Sequence, residues 1–163
     1  MSVAAVQKQL YAYEATGSIE VAPYLAKLCE SLATSMIGDG RQISLKVAGG
    51  RGSTSSRQAE SLGLIVTELV MNALKHAFPE DGVKGQITVT YDTAGTNWKL
   101  SVSDDGIGKP DGVFAQGKSG LGTGIVKALS QQLDAKVETV AGPHGTSVSI
   151  THATFPTKAA NAA

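Results

Sequence analysis

Glu68, Asn72, Lys75 and His76 sit inside the largely apolar stretch Ser61 to His76, SLGLIVTELVMNALKH. On an α-helix turning roughly 100° per residue, Asn72 lies roughly 40° from Glu68, Lys75 roughly −20° and His76 roughly 80°. Leu69, Val66, Ala73, Ala77 and Val70 cover the neighbouring arc, roughly 100° to 200° from Glu68. A carboxylate, a carboxamide, an amine and an imidazole thus share one stripe beside a buried face. Glu68 and Asn72 offer oxygens to a metal ion, while Lys75 and His76 offer donors to phosphates attached to it. An ordinary solvated face of an amphipathic helix would look the same, so the stripe needs company.

Two glycine-rich stretches supply it. Asp104-Asp105-Gly106-Ile107-Gly108 leaves the end of a strand. A carboxylate fixed there can accept from an exocyclic amine such as adenine's, and the glycines let the backbone turn and a flat ring approach. A plain acidic turn is the alternative. Gly120-Leu121-Gly122-Thr123-Gly124 runs into a helix, where bare amides and the helix dipole suit polyphosphate. Overlapping it, Gly112 to Ser119 (GVFAQGKS) fits the phosphate-loop pattern G-x-x-x-x-G-K-[ST] letter for letter. Its context is wrong for that motif: the preceding strand ends near Asp104, a proline intervenes, and three more glycines follow Ser119.

These residues need elements to position them. Val21 to Met36 reads as a helix with Pro23 in its first turn and Tyr24, Leu25, Leu28 and Leu32 at helical spacing. Gln42 to Val47 alternates as a short strand, and Gly49 to Ser56 reads as a loop. The polar-striped helix starts at Ser55 or Ser56 and is stopped by Pro79. Gln86 to Tyr91 and Trp98 to Ser103 form a hairpin around Thr93 to Asn97. Ile125 to Leu133 reads as a helix, and Lys136 to Val140 and Thr146 to Thr151 as the last two strands. Early helices and a late meander of strands predict an α+β two-layer sandwich, with helices on one face of a mixed, mostly antiparallel sheet. Val3 to Tyr13 reads as a short helix or the tail of a longer one, and residues 156–163 as a disordered tail.

At 163 residues the chain suits one domain with a real core. Fourteen Lys plus Arg balance fourteen Asp plus Glu, which argues against nucleic-acid and anionic-lipid partners. Cys29, the single cysteine, reads as a buried thiol in a reducing compartment. No apolar run approaches membrane-spanning length, so a cytoplasmic chain without direct membrane contact is expected.

Together the motifs resemble the ATP-binding catalytic domain of a sensor histidine kinase, from the superfamily that includes gyrase, the heat-shock chaperone ATPase and the mismatch-repair ATPase. Glu68 to Phe78 resembles the N-box, Asp104 to Gly108 the first glycine box and Gly120 to Gly124 the second. Gly145-Thr146 resembles the closing Gly-Thr. Lys75-His76-Ala77-Phe78 resembles the branch close to the HWE kinases, although the Trp-x-Glu signature is missing: Trp98 is followed by Lys99-Leu100. The resemblance implies the Bergerat ATP-binding fold over residues 21–155, preceded in residues 1–20 by a linker or the tail of a helical dimerisation domain. It implies ATP and Mg2+ as cofactors, with Asn72 and Glu68 at the metal and Glu68 the catalytic residue. Lys75 and His76 would face phosphate. Asp104 would take the adenine amine beside Gly106 and Gly108. Gly120, Leu121, Gly122, Thr123 and Gly124 would meet the phosphates, and Thr146 would support the base. Lys109 to Ser119 would form a mobile lid from which Lys118 approaches phosphate. The γ-phosphoryl group would pass to a histidine on a phosphoacceptor helical domain and onward to a response regulator. A nucleotide-binding adaptor, an anti-sigma-like serine kinase and a phosphate-loop NTPase stand as alternatives.

Overall fold

The computed structural model describes residues 18–37, 42–78, 84–106 and 121–153. A two-residue strand β1 (Ile19–Glu20) leads directly into helix α1 (Val21–Met36), whose Val21, Tyr24, Leu25, Leu28, Cys29 and Leu32 are buried. Strand β2 (Gln42–Gly49) follows, then β3 (Ser53–Thr54), which pairs antiparallel with β1 as a small separate sheet. Helix α2 spans Ser56–His76. It starts where the sequence predicts because the Ser55 hydroxyl accepts the Gln58 backbone N–H at 3.2 Å, satisfying one orphan donor of the first turn. Its buried face carries Leu62, Ile65, Val66, Leu69, Val70 and Ala73.

The second half is β4 (Lys84–Ala94), β5 (Asn97–Asp104), helix α3 (Leu121–Gln132), β6 (Lys136–Gly142) and β7 (Gly145–His152). The main sheet runs β2-β4-β5-β7-β6. β2 pairs parallel with β4 and the other pairings are antiparallel, giving the expected mixed sheet. One face, bearing Ile87, Val89, Leu100, Val102, Val148 and Ile150, is buried in the core with the helices. The opposite face carries small hydroxyls that pair across strands: Ser101 with Ser149 at 3.1 Å and Ser103 with Ser147 at 2.9 Å.

Two expectations are corrected. The loop expected over Gly49 to Ser56 contains β3, since its partner β1 closes against it from the start of α1. Helix α3 begins at Leu121 rather than Ile125, so Gly122 and Gly124 belong to its first turn. Glycine costs a helix most in its interior, whereas the first four N–H groups have no intrahelical acceptor to lose. The expected helix at Val3 to Tyr13, the tail over 156–163, the stop at Pro79, the lid at Lys109 to Ser119, Gly108, Lys118 and Gly120 lie outside the described residues. Among the described residues no helix is long and apolar enough to cross a membrane.

Candidate functional site

Strand alternation decides which of the paired aspartates faces the helices. Asp104 lies two residues beyond Val102 and four beyond Leu100, both buried, so it shares their face. The Asp104 Oδ1 atom accepts two backbone N–H groups, from Gly106 at 3.0 Å and from Thr146 at 3.3 Å. Asp105 is exposed and serves the sheet instead. Its Oδ1 accepts from Gln86 N at 2.8 Å, and its own N–H donates to Gln86 O at 3.2 Å. The second aspartate thereby clamps the end of β5 to β4 while the first is held toward the helices.

Two glycines permit this geometry. A Cβ on Gly106 would collide with the carbonyl oxygen and Cβ of Ala77, just past the end of α2. The missing side chain therefore lets the end of α2 rest against the end of β5. Gly145 has φ +131°, a region L side chains rarely adopt, and a Cβ there would strike the Asp104 carbonyl. Thr146, opposite Asp104 in the β5–β7 register, can approach only because of that turn.

The result is a small pocket between α2 and the ends of β5 and β7. Asn72, His76, Asp104 and Thr146 line it with the apolar walls Leu69, Ala73, Val102 and Val148. Four of the residues singled out by sequence are thus brought together. Glu68, half-buried one turn before Asn72, lines neither this pocket nor the cavity beside it, and Lys75 is exposed. Leu121, Gly122, Thr123 and Gly124 are placed in the first turn of α3, with Gly124 exposed. The wall residues Val102 and Val148 were not singled out from the sequence. They lie two positions from Asp104 and Thr146 on their strands, so the period of two could have found them.

Asn72 is 9% exposed and its Nδ2 atom is buried without a hydrogen-bond partner. Leaving such a donor unpaired costs about 1–3 kcal/mol, a cost that a ligand meeting the amide would remove. As a donor, Asn72 Nδ2 calls for an acceptor atom on whatever occupies the cleft. Among the described residues no group of three or more His, Cys, Asp or Glu side chains could hold a metal ion. A divalent ion at Asn72 would therefore need most of its oxygens from the ligand and water, as Mg2+ commonly does.

Residues 57–157 match the family described as histidine kinase-, DNA gyrase B-, and HSP90-like ATPase. The chain is 34% identical over 98 residues to the sensor histidine kinase PdtaS of Mycobacterium tuberculosis, covering 60% of this chain and 20% of that protein. It is 36% identical over 93 residues to blue-light-activated histidine kinase 2 of Erythrobacter litoralis, covering 56% and 27% respectively. Among solved structures, the histidine kinase domain of the Erythrobacter litoralis EL346 blue-light activated histidine kinase superposes with a TM-score of 0.72 at 28% identity. That match covers 82% of this chain and 64% of the other. The chain spans only about a fifth to a quarter of the length of the two relatives.

Proposed function

Since this chain belongs to the histidine kinase-, DNA gyrase B-, and HSP90-like ATPase family, we propose that it binds Mg-ATP in the Asp104 pocket and passes the γ-phosphoryl group to a histidine on a helical dimerisation domain. The observation that carries the nucleotide reading is the pinned carboxylate: Asp104 Oδ1 holds two backbone N–H groups at the end of a pocket walled by Asn72 and His76. A carboxylate fixed in this way loses little entropy when it accepts a further donor. The adenine exocyclic amine is the donor proposed, and Thr146 supports the base from the neighbouring strand.

Adenine stacked between Ala73 and the sheet would direct its phosphates along α2 toward the first turn of α3. Asn72 and Glu68 are the residues proposed to hold Mg2+, which would neutralise the polyphosphate charge. Lys75 and His76, with the amides of Gly120 to Gly124 and Lys118, are proposed to meet the phosphate oxygens. Phosphoryl transfer depends mostly on position, because the acceptor nitrogen must lie in line with the leaving oxygen. Two of the three histidines are poorly disposed for that. His144 is exposed in the β6–β7 turn, while His152 stacks on Trp98 at 5.8 Å between centroids and has Nδ1 3.1 Å from Asp134 O. His76 touches the nucleotide pocket itself. The acceptor is therefore assigned to another domain, from which a response regulator would receive the phosphoryl group.

Incubating the chain with γ-labelled ATP, alone and with a helical acceptor domain, tests this reading. Negligible self-labelling and an acid-labile, base-stable phosphoryl group on the partner are expected. Rapid labelling of the chain alone would overturn the assignment of chemistry.

A further inference from the structure

Beside the Asp104 pocket, between α2, the inner face of α3 and the β6–β7 hairpin, lies a cavity of ≈ 310 Å³. It shares Leu69, Asn72 and Val148 with that pocket, but Val126, Ser130, Val137 and Thr139 belong to it alone. One ordered water needs roughly 10–15 Å³ on the same measure, so this space exceeds what bridging water requires. Val137 lies on the core side of the edge strand, opposite Ile150, yet remains 40% exposed. The cavity therefore opens past the edge of the sheet, where strand β6 has no outer neighbour among the described residues.

Ser130 is the informative residue. A hydroxyl inside a helix ordinarily turns back to the carbonyl four residues earlier. Thr67 of α2 does so, donating to Gly63 O at 2.8 Å, and Thr34 of α1 donates to Glu30 O at 3.0 Å. Ser130 does not: it is 1% exposed, and its Oγ has no hydrogen-bond partner. The unpartnered Asn72 Nδ2 lines the same cavity. Two buried polar groups thus converge on a space whose lining is otherwise largely apolar, the arrangement of a small-molecule site.

We propose that this cavity is a second ligand site, taking a neutral single-ring aromatic carboxamide. The ring would fill the space among Leu69, Val126, Val137 and Val148. The ligand carbonyl would accept from Asn72 Nδ2, and its N–H would donate to Ser130 Oγ. A buried anion is disfavoured, because Lys127, the one cationic wall residue among the described residues, is exposed.

Benzamide is the probe, added without nucleotide, so the outcome does not depend on how ATP is read. Amide chemical shifts of the labelled full chain are followed through a millimolar titration. Saturable shifts are expected at Ser130, Val137 and Thr139. Ser130→Ala should weaken binding about tenfold, the scale of one lost hydrogen bond, while keeping the fold. Ser130→Leu should intrude on the hydrogen-bonding end of the space and abolish benzamide binding. Absence of saturable shifts, shifts confined to Asp104, Gly106 and Thr146, or unchanged affinity in Ser130→Ala would each overturn the proposal.

Discussion

Asp104 Oδ1 accepts the backbone N–H of Thr146 at 3.3 Å across the β5–β7 ladder, so two strands jointly fix one carboxylate. Replacing Asp104 by Asn keeps the shape but exchanges a charged acceptor for a neutral one. Affinity for ATP and ADP should fall alike, by about 1.5–3 kcal/mol, as measured with a fluorescent ATP analogue. GTP presents a carbonyl where adenine presents its amine, so it should bind the native chain poorly. Equal affinities for ATP and GTP would sink the adenine assignment.

Asn72→Ala should remove the magnesium-dependent part of ATP binding and leave the far-ultraviolet circular dichroism unchanged. Lys118→Ala provides the contrast. Loss of binding in Lys118→Ala with none in Asn72→Ala would instead favour a phosphate loop at Gly112 to Ser119.

Gly106→Ala tests how α2 is seated on the sheet. The added methyl group meets the Ala77 carbonyl and side chain, so either the end of α2 or the end of β5 must move. Thermal unfolding should show a loss of about 1–3 kcal/mol, typical of overpacking. Nucleotide affinity should fall with it, since His76 and Asp104 sit on the two displaced ends. An unchanged melting temperature would contradict this seating.

Alkaline stability should report on α1. Burial pushes the Cys29 thiol from 9.0 up to about 12, so the folded chain disfavours the thiolate. The resulting stabilisation is fully present below pH 9 and is lost as pH rises toward 12, by about 4 kcal/mol over the whole gap. Burial, and then Glu60, raises the Tyr24 hydroxyl on the same helix, which steepens the decline. Urea unfolding from pH 7 to 11 should show this slope, and Cys29→Ala should flatten it. The native thiol should resist a thiol reagent at pH 8.

Long periodic segments were legible in the sequence. Helix α1 runs from Val21 to Met36 as its apolar spacing predicts, and Ser55 marks the cap of α2. The polar stripe was legible for the same reason, because helical pitch alone brings Asn72 and His76 to one side. The pairing of β1 with β3 was not, since two residues per strand carry no period. Strand order was also hidden: β7 inserts between β5 and β6, and only long-range hydrogen bonding records that. Glycines concealed the start of α3 because their low helix propensity dominates a local reading, although tertiary packing settles the matter. The clamp formed by Asp105 and Gln86 joins residues 19 apart and leaves no local mark.

The small sheet of β1 and β3 also has a mechanical meaning. Gly52 approaches Tyr91 and Thr93, so β1 and β3 lie at the end of the sheet where β4 and β5 turn, and Asp104 lies at the other end. From Trp98 to Asp104 the strand covers about 20 Å. A rigid rotation of the domain by about 10° about Ile19 would therefore carry Asp104 through about 3–4 Å, against an in-line tolerance of about 1 Å.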